Sequence, residues 1–174
     1  MNRFEIAADK LECAEVVGRL ARGIDRCDPE IVRACFHPDA TDDHGMFKGS
    51  AEEFAEWVMP VLATMKRTQH VIGQCLVEVS GDRAAAESYF VAHHHIETAD
   101  GDILMIAAGR YLDRFERREG AWKISHRHAV YDWNSTVPAT DGWDRDDPGN
   151  PSAYGKRGND DASYAHLASV SQAS

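Results

Sequence analysis

Basic side chains are in short supply: 19 lysines and arginines face 29 aspartates and glutamates, for a formal charge of −10. Nucleic acid asks for a clustered basic face, so the composition argues against such a partner. Long apolar runs are missing as well. The longest, Ile103 to Ala108, falls far short of the roughly 20 residues a helix needs to cross a bilayer. The opening Met1-Asn2-Arg3-Phe4-Glu5-Ile6 lacks the apolar stretch of a secretory leader, which sets the expectation of a cytoplasmic protein with no membrane partner. Cysteine is scarce too. Cys13, Cys27, Cys35 and Cys75 form no C-x-x-C pair and read as reduced, packed thiols, not as a zinc or disulfide framework. No internal repeat is found.

What is present is an ordinary globular composition, 43% hydrophobic over 174 residues, enough for one domain with a real core. From Asp9 to Ile24 the residues Leu11, Ala14, Val17, Leu20 and Ile24 recur at spacings of three and four, which predicts an amphipathic helix. Asp28-Pro29-Glu30 announces a second, short one: a capping Asp, Pro at the first helical position and an acid in the first turn. Residues 40–48 read ambiguously, with room for a short strand. Ser50-Ala51-Glu52-Glu53 is a capping box. The helix it opens puts Phe54, Trp57, Val58, Val61, Leu62 and Met65 on one face, with Pro60 as an expected kink.

From residue 69 the period changes. Residues 69–79, 83–96, 103–117 and 121–132 read as four long strands, separated by Ser80-Gly81-Asp82, Thr98-Ala99-Asp100-Gly101-Asp102 and Arg118-Glu119-Gly120. Such a meander pairs antiparallel. The expected fold is therefore α+β: a strongly curved antiparallel sheet, a cone or half-barrel, wrapped against the N-terminal helices. Residues 1–135 form that domain in this reading, and residues 136–174 form a polar arm, extended or partly disordered.

Alternation then sorts the strand faces. Phe90, Ala92 and His94 share one, as do Met105, Ala107, Gly109 and Tyr111, and Arg127, Ala129, Tyr131 and Trp133. Small residues alternating with aromatics leave room for a ligand, although tight helix-on-sheet packing would use the same pattern. The run His93-His94-His95 does not make a metal site, because neighbours on a strand point to opposite faces. Asp42-Asp43-His44 reads better as a solvated loop than as a cavity lining.

Three stretches carry a family resemblance over residues 5–135: Gly23-Ile24-Asp25-Arg26-Cys27-Asp28, Thr68-Gln69-His70-Val71-Ile72-Gly73, and Tyr111 through Ile124 followed by Ser125-His126-Arg127. They resemble the SnoaL-like branch of the nuclear transport factor 2-like superfamily, and within it scytalone dehydratase and γ-hexachlorocyclohexane dehydrochlorinase. The resemblance implies an Asp25–His70 catalytic dyad and an active-site Arg127. It departs at Leu20, where the dehydrochlorinase has a catalytic Lys, and at Ile24, where scytalone dehydratase has a Tyr. The resemblance further implies a homotrimer, with a dimer as second choice. The function expected is a lyase with no cofactor and no metal: His70 takes a proton from a hydrophobic, ring-bearing carbon acid, Asp25 orients the imidazole, and Arg127 polarises the leaving group (water, halide or formaldehyde). Phe90, His94, Tyr111, Tyr131 and Trp133 are the expected substrate contacts. Isomerisation by the same base is the near alternative. A non-catalytic partner, like the small subunits of ring-hydroxylating dioxygenases, or a ligand-binding module is the rival from another class.

Overall fold

The structure, a computed structural model, describes residues 2–172. The first helix, α1 (Arg3–Arg26), starts earlier than the apolar spacing indicates. Asn2 accepts hydrogen bonds from the Phe4 and Glu5 amides, and Glu5 reaches back to close a capping box. It ends at Cys27, in the left-handed region with φ +51°. Asp28 then caps α2 (Pro29–Ala34) through the Glu30 and Ile31 amides. Gly23 lets the two helices meet, since a Cβ there would lie 2.9 Å from the Ile31 side chain.

Next come β1 (Phe36–Asp43), β2 (Lys48–Ser50) and α3 (Ala51–Ala63), the last opened by the Ser50–Glu53 capping box. Four long strands follow: β3 (Arg67–Ser80), β4 (Arg83–Ile96), β5 (Ile103–Arg118) and β6 (Ala121–Pro138). With β1 and β2 they form one curved, unclosed six-stranded sheet in the order β2-β1-β6-β5-β4-β3.

The expectation of a wholly antiparallel sheet needs correcting. The meander β3–β6 is antiparallel, but β1 runs parallel to β6, pairing Thr41 with His126 and Asp42 with Arg127. That pairing joins segments more than 80 residues apart, which no turn signal announces. A second difference lies at the end of the meander, where β6 continues to Pro138 along the first half of β5. The arm beyond it is more ordered than its composition suggests. It carries a helix, α4 (Ala162–Ala168), and folds back on α1 and its end. There the Tyr164 hydroxyl donates to Asp28 at 2.6 Å, and Arg22 lies over the Tyr164 ring.

The core fills the space between α1, α3 and one end of the sheet, with Leu20, Phe54, Phe115, Trp122 and Ile124 fully or almost fully buried. Each such side chain contributes about 1.5–3 kcal/mol by leaving water. Asp9 is the polar pin of this core, accepting from Trp122 Nε1 at 2.9 Å and from Arg117 at 2.8 Å. At the other end of the cone the packing stops, and a cavity of about 690 Å³ remains.

Candidate active site

The cavity wall on the helical side is apolar: Leu20, Ala21 and Ile24 from α1, then Phe54, Trp57, Val58, Val61 and Leu62 from α3. The sheet supplies the opposite wall and nearly all the polar groups. Residues Thr68, His70 and Ile72 of β3 pair across to His94, Ala92 and Phe90 of β4, so they share the inward face.

Asp25 and His70 meet. His70 Nδ1 lies 2.7 Å from Asp25 Oδ1, while the other carboxylate oxygen, Oδ2, accepts from the His70 backbone amide at 2.8 Å. Both side chains are about nine-tenths buried. A carboxylate in the last turn of a helix faces the negative end of the macrodipole. Burial likewise penalises its charge. The hydrogen bonds from the His70 ring and backbone amide outweigh both and hold the Asp25 carboxyl below its ordinary range. Because Asp28 serves as the cap of α2, Asp25 is left for this contact. With Nδ1–H committed to the carboxylate, Nε2 is the nitrogen that can present a lone pair to the cavity the ring lines.

His94 stands edge-on to His70, ring centroids 5.7 Å apart. Burial, and next the neighbouring His70, push its pKa down to about 4, so it is a neutral imidazole at physiological pH. Its Nδ1 is buried without a hydrogen-bond partner. His95, on the opposite face, pairs with Asp102 at 2.8 Å, so the three successive histidines do divide between the two sides of the sheet. Among the described residues, no group of three or more His, Cys, Asp or Glu is placed to hold a metal ion.

Arg127 is inside, yet it is not a free cation. Its Nε and Nη2 each donate to Asp113 at 2.7 Å in a bidentate pair set by direct cross-strand register. Burial opposes its charge, but Asp113 more than compensates and keeps the guanidinium protonated. The guanidinium covers the Tyr111 ring at 4.0 Å, and Tyr111 stacks on Phe90 at 4.2 Å. Phe90, Tyr111 and Arg127 thus form one column in the sheet-side wall. Tyr131 lies at the rim with its ring edge-on to Phe90.

Trp133 departs from strict alternation. Ala108 pairs with Trp133 but Gly109 pairs with Tyr131, so Asp132 is an extra residue in β6, a bulge. Beyond it the faces swap. Asn134 and Thr136, opposite the inward Ala107 and Met105, take the cavity positions, while Trp133 borders the cavity half exposed. The bulge has one legible trace. Gly109 admits it by having no Cβ, since a Cβ there would sit 2.1 Å from the Val130 carbonyl oxygen.

Asp42 and His44 also correct the sequence reading. Asp42 is fully buried, and its Oδ1 bonds His44 Nδ1. The His44 ring stacks on Phe54 at 4.6 Å and lines the cavity, so this segment is not a solvated loop.

Residues 5–128 match the SnoaL-like domain. Solved structures of similar fold include the hexachlorocyclohexane dehydrochlorinase LinA-type3 from Novosphingobium barchaimii LL02, with a TM-score of 0.69, 17% identity and coverage of 78% of this chain and 94% of that one. A candidate scytalone dehydratase from Novosphingobium aromaticivorans DSM 12444 aligns with a TM-score of 0.67 and 17% identity, covering 74% and 87%. Rv3472 from Mycobacterium tuberculosis, a protein of unknown function, reaches 25% identity and a TM-score of 0.63, covering 74% of each chain. Among curated proteins none matches the sequence. The structural neighbours thus include lyases, and at 17% identity they speak to the fold alone. The family match covers well over half of the chain, and with the curved sheet and helices described above it makes this protein a member of the SnoaL-like domain family.

Proposed function

We propose that the protein is a cofactor-independent lyase acting on a hydrophobic, ring-bearing carbon acid. The observation that carries this reading is the double engagement of Asp25 by His70, side chain and backbone amide together, beside a cavity large enough for a fused-ring molecule. His70 Nε2 removes a proton next to an activating group. Asp25 holds the required tautomer and stabilises the imidazolium that forms. Neutral His94 and Tyr131 offer hydrogen bonds to the substrate. Arg127 acts through the Tyr111 ring and the field of its pair with Asp113, a smaller part than an unpaired cation would have. A purely structural subunit has no use for an open cavity flanked by a buried carboxylate–imidazole pair, and that favours the enzyme.

The test needs no knowledge of the leaving group. Incubated in deuterium oxide with 1-tetralone, a fused-ring ketone, the protein should exchange the hydrogens next to the carbonyl. His70→Ala and Asp25→Asn should each lose on the order of a hundredfold or more of that rate. Exchange at wild-type rate in either variant would place the base elsewhere.

A further inference from the structure

The sheet-side wall is laid out in rows that cross the strands, and one row joins the base to the mouth of the cavity. His70 of β3 pairs with Ala92, Ala92 with Ala107, and Ala107 with Asn134 of β6, so these four stand side by side on the inward face. All four line the cavity. Three strand spacings separate the two ends, about 14 Å along the sheet. The two end side chains and a contact of about 3 Å at each take up about half of that, which leaves room for a fused bicycle carrying one substituent.

The middle of the row is a floor. Ala92 and Ala107 rise one carbon above the sheet, while bulkier side chains flank them. His94 and Met105 stand on one side. Phe90 and Tyr131, which meet edge-on across Gly109, stand on the other. The apolar side chains of α1 and α3 face the floor from the opposite wall, so the slot takes a flat ring system lying across the strands.

The two ends differ in access and in chemistry. The His70 side chain is about nine-tenths buried, whereas Asn134 is exposed, because β1 pairs with β6 only as far as His128 and leaves the rest of β6 as an edge. Asn134 faces inward through the Asp132 bulge alone, in a stretch where unbroken alternation would have turned Trp133 in. Bulges beside active sites re-aim side chains in this way. Among the described residues, the Asn134 carboxamide has no hydrogen-bond partner. Arg127, the one Lys or Arg among the described cavity residues, is committed to Asp113, so a carboxylate would find no free guanidinium or ammonium here.

Resting on the base reading above, we propose that Asn134 is the specificity-determining residue of this cavity. The substrate it selects carries an uncharged oxygen function, hydroxyl or carbonyl, at the end of a flat fused-ring system remote from the acidic carbon. A carboxamide suits either group, since its NH2 donates and its carbonyl accepts. The ligand enters with its acidic carbon leading, reaches His70 Nε2 at the buried end, and leaves its oxygen at the mouth against Asn134. Asn134 takes no part in the proton transfer. It fixes how far the ring system travels along the row, and so which carbon meets the base.

The test uses two isomers, 6-hydroxy-1-tetralone and 5-hydroxy-1-tetralone. The 6-hydroxyl lies diagonally across the bicycle from C2, the carbon whose hydrogens exchange, and the 5-hydroxyl falls short of that corner. Dissociation constants would be measured by calorimetry, which needs no turnover, and compared as the ratio of the 5-isomer to the 6-isomer. Partial misfolding of a variant leaves that ratio unchanged. Wild type should favour the 6-isomer about three- to tenfold, the worth of one neutral hydrogen bond. Asn134→Ala should bring the ratio to about one, and Asn134→Asp, which keeps an acceptor for the hydroxyl, should retain the preference. Exchange at C2 would be followed alongside in wild type and His70→Ala. Equal affinities in wild type, or a preference that survives Asn134→Ala, overturn the subsite even where exchange depends on His70. A preference lost in Asn134→Ala, with exchange indifferent to His70, supports the subsite and overturns the base reading alone.

Discussion

His94 should make the protein acid-sensitive in a defined window, and the size of the effect follows from its burial. In the folded chain its pKa is pushed down to about 4, first by burial and then by His70. In the unfolded chain it returns to about 6.5. Between those values the unfolded chain binds a proton that the folded one refuses. Stability therefore falls as pH drops from about 6.5 to about 4, and is flat in this term on either side. A gap of about two and a half units corresponds to about 3 kcal/mol, with a slope near 1.4 kcal/mol per pH unit inside the window. Other groups titrate there as well, so the informative quantity is a difference. Urea unfolding followed by tryptophan fluorescence, at one protein concentration, would be compared for wild type and His94→Gln between pH 7.5 and 4. The variant should gain about 3 kcal/mol on the wild type across that range. A wild-type-minus-variant difference that does not change with pH would refute the reasoning. The ranking of causes is testable in the same preparation. Proton resonances of the His94 ring should titrate higher in His70→Ala, but by less than the full return to 6.5, because burial is the larger cause.

Arg127→Leu should cost roughly 3–5 kcal/mol in urea unfolding by stranding Asp113, whereas Arg127→Leu with Asp113→Leu should recover much of it. Gly109→Ala should cost about 1–3 kcal/mol, because the new Cβ strikes the Val130 carbonyl, a backbone atom that cannot turn aside. The same variant should disturb 1-tetralone exchange, since the bulge it strains places Tyr131 and Asn134. The outer sheet face exposes Val71, Leu76, Tyr89, Trp133 and Val137, so we expect it to be covered in a homo-oligomer, a trimer before a dimer. Sedimentation at micromolar concentration should show one stable oligomer, and Leu76→Glu with Val137→Lys should shift it toward monomer. A stable wild-type monomer would refute the assembly.

What the sequence discloses here is whatever a local period or a local cap encodes. Asp28-Pro29-Glu30 and Ser50 through Glu53 announce their helices because capping is decided within four residues. Apart from the far end of β6, which runs on to Pro138, the four long strands end within two residues of expectation, since their turns sit between them in the chain. His94 and Tyr111 face inward as alternation requires, because no bulge interrupts the pairing of β4 with β5. Wherever one inserted residue or one long-range pairing decides, the period misleads. Asp132 adds a single residue to β6, and every side chain beyond it changes face, so Trp133 moves to the rim while Asn134 and Thr136 enter. Asp42 and His44 fail differently. Asp-Asp-His followed by Gly is sound loop composition, and nothing nearby contradicts that reading. Only the parallel pairing of β1 with β6, which sets Asp42 beside Arg127, removes the carboxylate from water. A buried acid then needs a partner, and the histidine two residues on supplies it. Both Asp–His contacts thus depend on tertiary structure, spanning 45 residues in one case and resting on a distant strand in the other. The first was legible because its two motifs resemble a family pattern, the second was not, and the physics that holds them is the same.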